Sequence, residues 1–174
     1  MIERRMAALL LAGATLAGCS AGADTTPPPL AATPAGSRAP MGLHLAALQG
    51  GAFLMQTAQL GVGRARSPEL RRFCEFEASE QRGLVQAMGL AGHAVTAPPA
   101  LPPAKMAMVQ GLSDSRGAAF DRMLLAAQQR GHSEALETFA ALREAGGTPA
   151  DGVLALLAED RIREHLAMLQ MLRA

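Results

Sequence analysis

Three ionisable side chains in this sequence, Glu80, His132 and His165, fall where a helical chain would bury them. At 100° per residue, side chains at i, i+3, i+4 and i+7 share one face of a helix. His165 shares such a face with Leu154, Ala158, Leu169 and Leu172. His132 shares one with Leu125, Leu136 and Phe139, and Glu80 with Phe73, Phe76, Leu84 and Ala87. Each of the three lies within about one turn, ~5 Å, of the middle of its helical segment. An ionised carboxylate on a buried stripe is costly without a partner. Two arrangements relieve that cost. One is a hydrogen-bonded Glu–His contact in the core. The other is a transition metal ion held by two histidines and one carboxylate, with coordination positions left open. The spacing leaves both open. The other two histidines, His44 and His93, fall at segment ends and have no evident partner in the pattern.

Other chemistries find less support. The chain contains no Gly-x-Ser-x-Gly, no Cys-x-x-Cys and no glycine-rich phosphate loop after a strand. Met55, Met88, Met123, Met168 and Met171 lie in helical segments, and thioethers beside histidines would suit copper(I). With five phenylalanines, no Trp and no Tyr, they read rather as gap-fillers in an aliphatic core. Met106 and Met108 lie on the link between helix pairs, where they could line a pocket. Cys74, between Phe73 and Phe76, reads as a buried and unreactive thiol rather than a reactive or metal-bound one. Arg64, Arg66, Arg71 and Arg72 cluster at one turn and read as solvated rather than as a contact with anionic headgroups. A net charge of +1 offers no electrostatic case for nucleic acid.

The elements that would position these residues are helices. Ala and Leu are abundant, whereas Val, Ile and Thr are scarce. A first helical segment runs from about Met41 to Arg64, with a stripe of Leu43, Ala47, Gly50, Leu54, Ala58 and Gly61. Small residues there let a neighbour approach closely. A second starts at Ser67 as N-cap, with Pro68 and Glu69 in its first turn, and runs to about Met88. The link that follows carries four prolines and a short helix from Ala104 to Gln110. A third long helix begins at Asp114 or Ser115 and ends at Ala145, before Gly146-Gly147. A fourth repeats the start signal with Thr148, Pro149 and Asp151, and runs to the C-terminus. Short turns make helices one and two, and three and four, antiparallel pairs. The link between the pairs, about 25 residues, can cross the roughly 33 Å length of a 22-residue helix. The expected fold is all-α, a ferritin-like four-helix bundle with one long crossover between helices two and three.

The N-terminus reads as an address. Arg4 and Arg5 precede an apolar run from Met6 to Leu16, too short to span a bilayer comfortably. Leu16-Ala17-Gly18-Cys19 resembles the lipobox of bacterial lipoproteins, whose cysteine is lipidated and becomes the new N-terminus. Residues 1–18 are then a signal peptide, residues 19–40 a Pro- and Ala-rich tether, and residues 41–174 the helical domain. The alternative is a soluble exported protein cut after a small residue such as Ala23. A lipidated Cys19 would anchor the domain to a membrane, facing the periplasm or the cell exterior. In a Gram-negative cell, Ser20 in place of Asp favours sorting to the outer membrane.

The segments "LQGGAFLMQTAQLG", "SPELRRFCEF", "GAAFDRMLLAAQQRGH", "HSEALETF" and "REHLAMLQML" together resemble the bacterial domain of unknown function 4142. The resemblance covers residues 43–172, with Phe120 to His132 and Arg163 to Leu166 its most specific parts. It implies an exported, ferritin-like four-helix protein, often a lipoprotein. Members commonly carry a Glu in the first helix where this chain has Leu54, and an Asp-His pair where it has Glu80-Gln81. A Tyr is usual where Leu124 stands, and a Pro where Asp160 stands. Only His132 and His165 carry over directly. No Glu precedes either histidine by three residues, so the di-iron Glu-x-x-His pattern is absent. The resulting expectation is a non-enzymatic envelope protein without a cofactor, acting through its surface or an unidentified protein partner. The alternative is a metal-binding protein, for sequestration or oxidation, that uses Glu80, His132 and His165.

Overall fold

A computed structural model describes residues 41–93, 95 and 97–172. The expected signal peptide and tether, Cys19 among them, lie outside the described residues. Five helices make up the domain: α1 (Met41–Arg64), α2 (Pro68–Leu90), α3 (Pro103–Asp114), α4 (Gly117–Ala145) and α5 (Pro149–Met171). The fold is all-α, and no strand occurs among the described residues. None of these helices is long and apolar enough to cross a membrane.

Local sequence sets the helix ends. Ser67 Oγ accepts from Leu70 N at 3.1 Å, and Pro68 fills a first-turn position where no N–H is missed. Thr148 and Asp151 form a reciprocal capping box at the start of α5. Gly146 has φ 73°, a left-handed conformation that ends α4 without strain. The short link helix extends further than its sequence suggested, through Asp114, and α4 starts at Gly117 instead of Asp114 or Ser115. The break between them is closed by Arg64, whose guanidinium donates to Ser113 O and Ser115 O. The same carbonyls accept from the Arg116 guanidinium, so a local and a distant arginine share them.

Antiparallel neighbours surround a single core. Gly61 of α1 lies against Cys74 of α2 and Leu124 of α4, while Gly51 lies against Gln81. Gly131 of α4 lies against Phe53 and Leu54, so α1 and α4 also run antiparallel. α4 packs closely on α5, and α3 lies across α1 and α4. The link reaches from His93, beside His44, past Ala100, which accepts from Gln49, to Ser113 beside Arg64. It therefore runs the length of α1. α2 and α5 meet through side chains, with few close backbone approaches.

Phe53, Phe73, Phe120, Leu70, Leu124 and Leu169 are fully buried. The α1 stripe holds: Ala47, Gly50, Leu54, Ala58 and Gly61 are all buried. On α2 the buried face is Leu70, Phe73, Cys74, Glu77, Ala78 and Met88, and Phe76 is 54% exposed. The stripe anchored on Phe76 was therefore turned by nearly a residue. Leu125, Leu136, Leu154 and Leu172 are only partly buried, at the margins of their stripes.

Candidate metal centre

The inward face of α2 places Glu77, not Glu80, between the two histidines. His132 Nε2 stands 3.1 Å from Glu77 Oε2, and His165 Nδ1 stands 2.8 Å from the same oxygen. The two ring nitrogens are 3.0 Å apart. All three side chains are buried, Glu77 completely. Phe73 covers them, its ring centroid 5.3 Å from that of His165 and 6.0 Å from that of His132.

Each ligand is held from behind. His132 Nδ1 donates to Gln128 O, one turn back, at 2.7 Å. That bond puts a proton on Nδ1 and leaves Nε2 as a lone pair when the ring is neutral. Gln128 in turn donates through Nε2 to Leu54 O and to Thr57 Oγ1 on α1. Gln81 Nε2 donates to Glu77 Oε1 at 2.8 Å, leaving Oε2 for the histidines. The network therefore joins α1, α2, α4 and α5. Partners behind metal-binding side chains fix ring orientation and tautomer in this way.

Glu80 sits outside this triangle, on the far side of His165, at intermediate burial. Its Oε1 pairs with the Arg161 guanidinium, and Oε2 is 2.8 Å from His165 Nε2. The geometry falls off the line of a ring N–H, so this buried oxygen has no donor among the described residues. His165 thus stands between two carboxylates. A neutral imidazole has one proton and can serve only one of them. The space between Nδ1, His132 Nε2 and Glu77 Oε2 suits a shared proton or a metal cation.

The electrostatics agree. Burial pushes the Glu77 carboxyl up, but hydrogen bonds and attraction from His132 and His165 outweigh it and hold it well below the usual carboxylate range. Burial pushes the Cys74 thiol up to about 12, helped by the negative charges of Glu77, Glu75 and Asp121. Cys74 is therefore an inert thiol, as its apolar neighbours suggested.

An apolar cleft of about 250 Å³ opens beside the site, in the gap between α2 and α5. Leu54, Leu84, Phe139 and Leu157 are among its walls, and His132, His165, Glu80 and Arg161 supply its polar groups.

Sequence reasoning brought His132 and His165 together and missed Glu77. The available signal was the spacing of Leu70, Phe73, Glu77 and Leu84, which follows the i, i+3, i+7 rule. It also missed that His44 and His93 share a partner, Asp151.

These features define an all-α protein with a buried two-histidine, one-carboxylate cluster. The chain matches the family model described as domain of unknown function DUF4142 over residues 25–172, and it belongs to that family. No curated protein and no solved structure matches it.

Proposed function

We propose that this is a lipid-anchored envelope protein whose ferritin-like four-helix bundle holds a transition metal ion at Glu77, His132 and His165. One observation carries the metal reading: His132 Nε2, His165 Nδ1 and Glu77 Oε2 converge within 3.1 Å in a buried place. Ligands of a tetrahedral ion at bond lengths of ~2.0–2.2 Å stand roughly 3.3–3.6 Å apart, so the triangle would open by less than about an ångström. The donor set suits Fe(II) or Zn(II). The cleft lined by His132 and His165 would give water or a small, largely apolar molecule access to an ion held there. The metal alternative read from sequence used Glu80, and Glu77 takes that carboxylate's place beside His132 and His165.

The test is metal titration of full-length protein prepared without a histidine tag and stripped with chelator. At a hundred times its dissociation constant, a bound ion stabilises by about 2.7 kcal/mol. For a domain of this size that raises the melting temperature by roughly 5–10 °C. In a His44→Asn, His93→Asn background, which leaves the inner cluster alone, the rise should persist, and it should vanish on adding His132→Ala or Glu77→Gln. An unchanged melting temperature with zinc, iron(II) and copper would overturn the metal reading. It would favour a hydrogen-bonded Glu77–His132–His165 contact in the core, which the separations also fit.

The envelope reading rests on Arg4, Arg5, the apolar run and the Leu16–Cys19 motif. A single acyl chain holds only marginally, whereas two or more hold a protein firmly. Cys19→Ser should therefore move the protein from the membrane to the soluble fraction and abolish fatty-acid labelling. Unlabelled wild-type protein would sink this part of the proposal.

A further inference from the structure

All four histidines of the chain are used in pairs, and the second pair is at one end of the helices. His44 lies in the first turn of α1, His93 just beyond α2, and Asp151 in the first turn of α5. Three parts of the chain remote in sequence thus meet at one carboxylate. We infer that His44, His93 and Asp151 form a second metal site, partly open to solvent, that takes a divalent transition ion such as zinc.

Asp151 is prepared for this role. Its Oδ2 accepts from Thr148 N and Thr148 Oγ1, both at 2.9 Å, as part of the capping box. The carboxylate is thereby fixed, and Oδ1 is left for other partners. His93 Nε2 stands 2.5 Å from Oδ1, and His44 Nε2 stands 3.6 Å from it. The two rings face each other at 4.0 Å between centroids, 33° from parallel. The side chains are 13%, 23% and 8% exposed for His44, His93 and Asp151, so an ion has access while the ligands are held.

The His44 distance separates the alternatives. At 3.6 Å its nitrogen is too far from Oδ1 for a hydrogen bond, and it makes none among the described residues. Two ligands of one tetrahedral ion, at bond lengths of ~2.0–2.2 Å, stand roughly 3.3–3.6 Å apart. His44 and Asp151, at 3.6 Å, already have that separation. His93 must move back by about an ångström to match it. The nearby C-terminal end of α2, whose carbonyls carry partial negative charge, favours a cation beside His93. The inner cluster is separate: its three side chains are buried beneath Phe73, and it shares no residue with this one.

A site of this kind clips the start of α1, the start of the long link and the α4–α5 turn together. It does not depend on the inner site, and the experiment keeps the two apart. Zinc alone is titrated into full-length Glu77→Gln protein, in which the inner triangle has lost its carboxylate. One zinc ion per chain should still bind. Adding His44→Asn and His93→Asn should weaken that binding more than about tenfold, since losing even an outer partner of a ligand costs 10- to 100-fold. No zinc bound to Glu77→Gln, or binding indifferent to the two Asn substitutions, overturns the inference. A second measurement uses wild-type protein and needs no variant to fold. Acylation of imidazoles by diethyl pyrocarbonate, read by peptide mass, should be suppressed by zinc at His44 and His93. Equal modification with and without zinc at these two positions also overturns it.

Discussion

Replacing Glu77 by Gln removes one charge and almost no volume, so its effect reports the carboxylate itself. In the metal-free protein, Gln81 Nε2 can still donate to the retained carbonyl oxygen, as it does to Glu77 Oε1 at 2.8 Å. The new amide NH₂ would replace Oε2, 3.1 Å from His132 Nε2 and 2.8 Å from His165 Nδ1, and would donate to one lone pair where the carboxylate accepted. Hydrogen bonds to charged groups contribute about 1.5–3 kcal/mol and neutral ones about 0.5–1.5, so the exchange should cost roughly 1–2 kcal/mol near neutral pH. The sign of its pH dependence follows from the depressed titration of Glu77. A carboxylate held below its unfolded value contributes stability that is complete above the unfolded value and is lost as pH falls toward the folded one. The unfolded value is 4.5. The stability gap between wild type and Glu77→Gln should therefore be full at pH 6 and narrow progressively below pH 5. Urea unfolding of metal-free protein at pH 6, 5, 4 and 3 measures it directly. A gap that stays constant down to pH 3 would mean that Glu77 is not ionised and ion-paired in the folded protein, and the electrostatic account of the site would fail.

Three further outcomes test the packing that builds the site. In Gly61→Ala the new Cβ would clash with Cys74 Sγ and lie 2.8 Å from Leu124 Cδ2, so despite better helix propensity it should destabilise by about 1–3 kcal/mol in thermal melts. A stabilised variant would show that α1 and α2 are not so closely packed. Leu169→Asp should unfold the domain, as judged by circular dichroism, because Leu169 is fully buried, whereas Leu154→Asp, at the margin of the cleft, should be tolerated better. Asp151 is held down to about 2 against the opposing effect of burial by hydrogen bonds from His93 and Thr148, so its contribution is present above 3.8 and is lost between there and about pH 2. Asp151→Asn should flatten that part of the acid-unfolding curve; an identical acid limb would count against the His93–Asp151 contact.

Helix positions were legible because their signals are local. Ser67-Pro68, Thr148-Pro149-Ala150-Asp151 and Gly146-Gly147 specify ends through bonds made within one turn. Which face of α2 is buried was not legible in the same way. Phe76 carries the apolar weight of a core residue, yet the angle of α2 is set by Gly61 and Gly51 of α1, into whose missing side chains Cys74 and Gln81 pack. That close approach turns Glu77 inward and Phe76 outward. The break between α3 and α4 draws on both scales, since its carbonyls accept from Arg116 beside it and from Arg64 on α1.

The same logic explains why His44 and His93 gave no sign of a role. A ligand pair within one helix has a spacing that can be read. These two sit at segment ends, and the third member, Asp151, already had a complete local explanation as a capping residue. Only one of its oxygens serves the cap; the other faces two imidazoles that the long link brings back along α1. A residue that fully explains one local signal can still have capacity for a second, because a carboxylate has two oxygens and a helix cap needs only one. Glu77 divides its oxygens likewise, with Oε1 toward Gln81 and Oε2 toward the histidines. In both clusters a neighbour on the same element fixes the carboxylate while its second oxygen is presented across helices. Such an arrangement orients a ligand before any ion arrives, which lowers the ordering cost of binding.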